Sequence, residues 1–202
     1  MTENNTALIT GEICSPPVMS HSFKGENFYN MTVKVKRLSD VYDYITVTVQ
    51  ENMVPGLEEG KAVTVSGQYR SYNNYSGVGN KLILTLFANE ITDETETENP
   101  NTIYLNGFIC KQPIYRTTPF GREITDIIVA VNRNFGKSDY IPCIAWGRNA
   151  KYAAGLNVGD NIEVWGRIQS RNYKKKITED EIVEKTAYEV SVTRILLKNT
   201  EV

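Results

Sequence analysis

The chain contains the same pattern twice, and this internal repeat limits its possible folds more than any other feature. Gly11-Glu12-Ile13-Cys14 has a counterpart 96 residues later in Gly107-Phe108-Ile109-Cys110. A spacing that is constant over one stretch and then increases by a few residues is expected of a duplicated domain with a loop insertion. On the spacing of 96 lie the pairs Gly25 and Gly121, Val33 and Val129, Arg37 and Arg133, and Tyr44 and Tyr140. On a later spacing of 99 lie Gly56 and Gly155, Gly67 and Gly166, and Ser71 and Ser170.

The length of 202 residues accommodates two domains of about 100 residues each. Between the repeats runs a polar, acidic segment that contains Pro100, which is typical of a solvated linker. We therefore expect a first domain over residues 5–92, a linker over 93–101 and a second domain over 102–198.

Both repeats are predicted to be β structure. Apolar and polar residues alternate over residues 31–36, 44–49 and 82–86, and again over 126–131, 140–145, 161–165 and 187–192. A short helix is predicted over 149–154, before Gly155. Gly67 and Gly166 interrupt strand patterns, where glycine is typical of a bulge or a barrel corner. The fold class is therefore all-β, with two tandem OB-fold barrels of five strands in Greek-key order, each with a short helix.

Charge is unevenly divided between the repeats. Residues 1–99 contain 7 Lys and Arg against 13 Asp and Glu, whereas residues 100–202 contain 15 against 11. A protein that binds nucleic acid needs a local basic surface rather than a positive net charge, because only the residues that contact phosphates have to be positive. Such a surface is expected on the second repeat.

Several classes of function lack support in the sequence. The chain has no phosphate-binding glycine motif, no Cys or His spacing typical of zinc, and a single histidine, His21. It also has no apolar run long enough to span a membrane and no secretory signal pattern. We expect no enzyme activity, cofactor, metal or small-molecule substrate, no membrane association, and a cytoplasmic location.

The second repeat resembles the bacterial single-stranded DNA-binding proteins. The resemblance is carried in order by residues 101–107, 122–133, 139–148, 156–160 and 164–173, and it spans 101–198. It implies binding of single-stranded DNA without sequence preference, in replication, repair or recombination. In that family aromatic side chains stack on bases while basic side chains neutralise phosphates, as in other single-strand binders.

The resemblance also implies the site residues. The positions that match the stacking aromatics are Phe135, Tyr140, Trp146 and Tyr173, and those that match basic residues are Arg148 and Arg171. Further candidates to contact phosphates are Arg133, Arg167, Lys174, Lys175 and Lys176. The first repeat keeps Tyr44 and has Tyr72 nearby, but it has Gln50 opposite Trp146 and Asn52 opposite Arg148. Weaker binding or a structural role is therefore expected of the first domain.

Some alternatives stay open at this stage. Trp146 belongs either to the core or to the stacking surface. Trp165 is expected on an outer face rather than in the core, where it would form a base platform or a subunit interface. Lys174, Lys175 and Lys176 form either a basic arm or a solvated loop. The alternative functions are a protein-interaction or primosome-like accessory module and a binder of single-stranded RNA.

The resemblance carries two further expectations about assembly. Family members commonly bring four barrels together, so a chain with two barrels is expected to form a homodimer. The family usually ends in a tail with an acidic tip that recruits other proteins. The sequence stops at residues 198–202 without such a tip, so this mode of recruitment is not expected.

Overall fold

Alternation of apolar and polar side chains builds the strands, because successive residues of a strand point to opposite faces of the sheet. The computed structural model describes residues 4–75, 80–176 and 182–198. The first half forms β1 (Asn5–Phe23), β2 (Glu26–Lys36), β3 (Tyr42–Gln50), β4 (Ala62–Asn73) and β5 (Leu82–Thr92). The second half forms β6 (Asn101–Ile109), β7 (Ile114–Thr117), β8 (Glu123–Asn132), β9 (Ser138–Trp146), β10 (Asn161–Lys176) and β11 (Ile182–Leu197).

The strands of the first half close into a barrel. β1 pairs antiparallel with both β2 and β4, so this one strand joins the two edges of the sheet. β3 and β5 pair in parallel where Val47 lies opposite Leu86. The order around the barrel is β1-β2-β3-β5-β4 and back to β1. The first half is therefore the five-stranded OB-fold barrel that the sequence predicts.

The second half repeats this arrangement. β6 pairs with β8 and β10, and β9 pairs in parallel with β11 where Cys143 lies opposite Val190. The order around this barrel is β6-β8-β9-β11-β10 and back to β6, with β7 as an extra strand on β8. The predicted duplication of one barrel is therefore confirmed.

The connection between the third and fourth strands differs between the barrels. The second barrel has the α-helix α1 (Arg148–Ala154), which begins one residue before the predicted position. The first barrel has only the three-residue 3-10 helix Glu51–Met53 at the corresponding place. The buried side chains Ala150 and Ala153 anchor α1 to the barrel, whereas the 3-10 helix buries none of its residues.

The side chains that point inward from alternate positions of the strands fill each barrel. Val33, Val47 and Val65 are fully buried in the first barrel, as are Val129 and Val164 in the second. Burial of such a side chain stabilises the fold by about 1.5–3 kcal/mol. Gly67 and Gly166 lie at bulges in β4 and β10, as predicted.

The two barrels share one continuous sheet. β1 and β6 pair antiparallel, with Ala7 opposite Ile103. These two residues are themselves equivalent in the repeat, because they lie 96 positions apart. A residue that pairs with its own counterpart lies on a twofold axis, so a pseudo-twofold axis passes between Ala7 and Ile103. Two backbone contacts across the seam accordingly occur as pairs of images, those between Tyr44 and Ser170 and between Asp43 and Ser170.

Within residues 4–75, 80–176 and 182–198, no helix is long and apolar enough to cross a bilayer. The same part of the chain contains no cluster of three or more His, Cys, Asp or Glu side chains that could hold a metal ion.

Candidate nucleic-acid interface

An open groove of about 280 Å³ crosses the outer wall of the second barrel. Trp146, at the end of β9, lies half-buried in this groove because Cys143 and Ala145 of the same strand occupy core positions. We call it the Trp146 groove; it is lined by Arg37, Arg122, Trp146, Arg167, Gln169, Arg171 and Ser191. Trp146 is thus outside the core, and four arginines line the groove with it.

Asp43 of β3 holds two of these guanidinium groups at the floor of the groove. Its buried carboxylate accepts hydrogen bonds from Arg37 Nε at 2.8 Å and from Arg167 Nη1 at 3.2 Å. Burial lowers the pKa of Arg167, and the nearby charge of Arg37 lowers this pKa further. The hydrogen bond to Asp43 raises the pKa of Arg37. Both groups are cations at neutral pH, so this cluster has one positive charge more than its carboxylate neutralises.

Arg171 and Tyr173 continue along the outer face of β10. The Arg171 guanidinium carbon lies 5.7 Å from the centre of the Tyr173 ring, and its Nε lies 3.6 Å from Glu189 Oε1. Gln169 Nε2 donates a hydrogen bond of 2.7 Å to the same Glu189 oxygen. Half of the Arg171 side chain is exposed, so water screens this ion pair and it contributes little to stability. The guanidinium is therefore accessible to a ligand.

Tyr44 and Tyr140 lie at the seam between the barrels. The Tyr44 backbone N–H donates to Ser170 Oγ at 2.9 Å, and the Tyr140 N–H donates to Ser71 Oγ at 2.7 Å. The two contacts are images of each other across the pseudo-twofold axis. About half of each tyrosine ring is exposed. The seam therefore presents one aromatic side chain from each barrel.

Three other expected site residues lie outside the Trp146 groove. Phe135 is 98% exposed in a tight loop, where its φ of 65° is in the left-handed region. Arg148 is exposed at the start of α1. Arg133 Nε lies 3.2 Å from Asp139 Oδ2, and its guanidinium carbon lies 5.8 Å from the Tyr72 ring. Arg133 thus faces the first barrel rather than the groove.

The basic arm is described only in its backbone. Lys174, Lys175 and Lys176 belong to β10, where they pair with β11. The side chains of these three lysines lie outside the described residues.

Comparison with known proteins identifies the type of domain that contains the groove. Residues 100–197 match the model of the "Single-strand binding protein family". The second barrel matches this family model over its whole length, and we call it the single-strand binding protein domain. The sequence resemblance of this barrel is therefore confirmed over the strands that form the Trp146 groove.

Curated relatives of this single-strand binding protein domain agree with the match. Single-stranded DNA-binding protein 2 of Listeria innocua is 38% identical over 81 residues, which are 37% of this chain and 51% of that protein. Single-stranded DNA-binding protein A of Bacillus subtilis is 36% identical over 83 residues, or 38% of this chain and 48% of that protein. The chain thus spans about half the length of the curated relatives it matches.

A solved structure is similar to both barrels together. The wild-type single-stranded DNA binding protein from Thermus aquaticus aligns with a TM-score of 0.73 at 20% sequence identity. The alignment covers 97% of this chain and 93% of that one. At this identity the similarity concerns the fold, and it extends the two-barrel architecture to the first half of the chain.

The first barrel lacks much of the groove found in the single-strand binding protein domain. Gln50 stands where Trp146 would lie, but Phe87 of β5 presents an aromatic ring on the same outer face. The Arg70 guanidinium carbon lies 3.9 Å from the centre of the Phe87 ring. The sequence repeat did not reveal this pair, because the spacing between the repeats changes again before β5. Leu84 and Leu86 are buried at alternate positions of β5. This alternation predicts that Phe87, which lies between core positions, faces the outside of the barrel.

A second groove, of about 430 Å³, lies over the junction of β1 and β6. Its aromatic wall is Trp165 of the single-strand binding protein domain, whose ring centre is 5.2 Å from that of Tyr104. The Arg194 guanidinium carbon lies 4.8 Å from the Trp165 ring. We call it the Trp165 groove; it is lined by Thr6, Ala7, Leu8, Ser66, Gly67, Asn89, Thr102, Ile103, Tyr104 and Trp165. Trp165 therefore lies on the outer face, as expected.

Proposed function

We propose that the protein binds single-stranded DNA without sequence preference, and that the strand lies in the Trp146 groove. The observation that carries the proposal is that one tryptophan and four arginines line the same open groove. An exposed base can stack on the ring, because every base has an aromatic face. The adjacent phosphates then meet the arginines, which bind phosphate oxygens in a planar, bidentate geometry.

The path of the strand beyond the groove follows from the positions of the other aromatics. Tyr173 continues the groove along β10 beside Arg171, and Tyr140 lies at the seam. Phe135, between β8 and β9, and Arg148, at the start of α1, extend the proposed surface. A phenylalanine that is held in the left-handed region and fully exposed is strained without a packing benefit, which favours a role in contact with a ligand. Lys174, Lys175 and Lys176 belong to the proposed path as its basic continuation.

The first barrel has a smaller part in this proposal. Tyr44 and Tyr72 are retained as weaker contacts, and the Arg70–Phe87 pair provides a further aromatic surface. Arg133 is left out of the proposed binding surface because it lies against the Tyr72 ring and does not line the Trp146 groove. The names of the curated relatives support single-stranded DNA as the ligand. We place the protein in the cytoplasm, where replication, repair and recombination expose such strands, and assign it no catalytic step.

The proposed test is a titration of fluorescently labelled oligo(dT), followed by anisotropy, at low and high salt. We expect tight binding that weakens with salt and that unlabelled duplex DNA does not displace, because its bases are already stacked inside the helix. Trp146→Ala should weaken binding by about 1–3 kcal/mol. Gln50→Ala, at the equivalent position of the first barrel, should leave it unchanged. Absence of binding to oligo(dT) by the unchanged protein would overturn the proposal.

We also propose that two chains associate through their Trp165 grooves into a homodimer with four barrels. This groove is the larger of the two, and the exposed faces of Trp165 and Tyr104 lie beside the pseudo-twofold axis. Light scattering should give twice the chain mass of 22.8 kDa, and Trp165→Glu should halve that value. A mass of one chain for the unchanged protein would contradict the homodimer.

A further inference from the structure

Arg37 crosses from the first barrel into the groove of the second. It follows the last residue of β2, in a loop closed by a hydrogen bond of 2.8 Å from its own N–H to the Val41 carbonyl. Its Nη2 donates to the Ser170 carbonyl of the second barrel at 3.1 Å. The Arg37 side chain lines the Trp146 groove with Arg122 and Trp146, so the wall of this groove is formed by both barrels.

The position of Arg37 is set by a carboxylate rather than by packing alone. Asp43 binds Arg37 and Arg167 together and accepts the Ser170 N–H at 2.8 Å, so one residue fixes the guanidinium groups of two barrels. Arg37 Nε and Arg167 Nη1 both donate to Asp43 Oδ2, so the two cations share one carboxylate oxygen and repel each other. An anion that enters the groove relieves this repulsion.

The charges that line the groove do not balance. Its four arginines face two carboxylates, those of Asp43 and Glu189. An excess of two positive charges beside an indole ring fits a phosphate that flanks a stacked base. On the proposed function, we infer that Arg37 is a phosphate ligand through which the first barrel holds the strand bound to the second. Asp43 is the positioning residue for this contact.

The repeat supplies a matched control. Arg133 is the counterpart of Arg37, lies on the same spacing of 96 and pairs with Asp139 as Arg37 pairs with Asp43. The two arginine side chains are equally exposed, at 23%. Arg133 lies against the Tyr72 ring and does not line the Trp146 groove. Arg37 makes two hydrogen bonds to Asp43, whereas Arg133 contacts Asp139 at 3.2 Å. Loss of either arginine therefore removes an ion pair with a buried aspartate, but only the loss of Arg37 removes a charge from the groove.

The test is the salt dependence of oligo(dT) binding by the full chain. A contact with a single-stranded phosphate contributes about 0.7 to the slope of log affinity against log salt concentration. We expect Arg37→Gln to reduce the slope by about this amount, and Arg37→Lys and Arg133→Gln to keep the slope of the unchanged protein. Thermal unfolding of the three variants establishes that each is folded.

The outcomes separate this inference from the proposed function. If the unchanged protein binds oligo(dT) but Arg37→Gln has the same salt slope as the unchanged protein, the inference is wrong and the proposed function stands. Equal decreases for Arg37→Gln and Arg133→Gln would also overturn it, because they would indicate a loosened seam rather than a lost phosphate contact. If the unchanged protein does not bind the oligonucleotide, the proposed function fails and the inference fails with it.

Discussion

The Asp43 carboxylate of the first barrel accepts a hydrogen bond of 2.8 Å from the backbone N–H of Ser170 in the second barrel. The image of this contact joins Asp139 to the Ser71 N–H at 2.7 Å. Each aspartate also pairs with an arginine of its own barrel. The barrels are thus fixed to each other at two equivalent points, which allows one binding surface to extend across both of them.

The stability of the seam should depend on Asp43. Its replacement by Ala leaves the Arg37 and Arg167 guanidinium groups and the Ser170 N–H without their partner. We expect the free energy of unfolding to fall by about 1–3 kcal/mol, the cost of unsatisfied buried polar groups. Urea denaturation provides the measurement. Glu58→Ala, which removes an exposed carboxylate, is the control and should stay within about 0.5 kcal/mol. Equal effects of the two substitutions would contradict a structural role for Asp43.

Asp139 should give the protein a measurable pH dependence. Burial raises the pKa of its carboxyl above the usual value, although the Ser71 N–H and the charge of Arg133 act in the opposite direction. The folded protein therefore binds this proton more tightly than the unfolded chain does. The resulting stability is fully present below the pKa of the unfolded chain, and it is lost as the pH rises through the raised pKa.

The comparison that isolates this group is between the unchanged protein and Asp139→Asn. In acidic buffers of increasing pH, the free energy of unfolding of the unchanged protein should decline relative to that of Asp139→Asn. The measurement is urea denaturation at each pH. Subtracting the free energy of unfolding of Asp139→Asn from that of the unchanged protein should give a value that falls with pH. A value that stays constant or rises would show that the pKa of Asp139 is not raised.

Gly67 and Gly166 should not tolerate a side chain. A Cβ atom on Gly67 would lie 2.1 Å from the Phe87 carbonyl oxygen, and one on Gly166 would lie 2.3 Å from the Ser191 carbonyl oxygen. Either substitution by Ala forces the barrel wall apart, and we expect a loss of about 1–3 kcal/mol in unfolding experiments. At Gly155 the nearest atom is 3.5 Å away, so Gly155→Ala should be mild. A tolerated Gly67→Ala would mean that the strands do not approach so closely.

The sequence predicts the barrels well because repetition and alternation are local patterns. Both signals lie along the chain, so seven of the eleven strands, the bulges at Gly67 and Gly166 and the helix of the second barrel could be placed from residues alone. The resemblance also indicated Trp146, Arg167 and Arg171, which the fold brings together in one groove. These residues lie on strands whose outward faces can be deduced from alternation.

What the sequence could not reveal depends on contacts between distant elements. The entry of Arg37 into the groove requires the pairing of β1 with β6, which no local pattern encodes. Arg133 was expected to contact phosphate, but the same seam directs it towards Asp139 and Tyr72. Phe87 was missed because its strand has no constant spacing to the other repeat. The side chains of each barrel could be assigned to an inner or outer face, but not to a partner across the seam.

The most direct test of the Trp146 groove uses the two tryptophans, Trp146 and Trp165, as separate fluorescent reporters. In Trp165→Phe the remaining emission comes from the groove proposed to hold the strand, and in Trp146→Phe it comes from the groove over the β1–β6 junction. Oligo(dT) should quench the emission of Trp165→Phe strongly, because a base stacks on Trp146, and should leave that of Trp146→Phe nearly unchanged. Quenching confined to Trp146→Phe, or absent from both variants, would contradict the account.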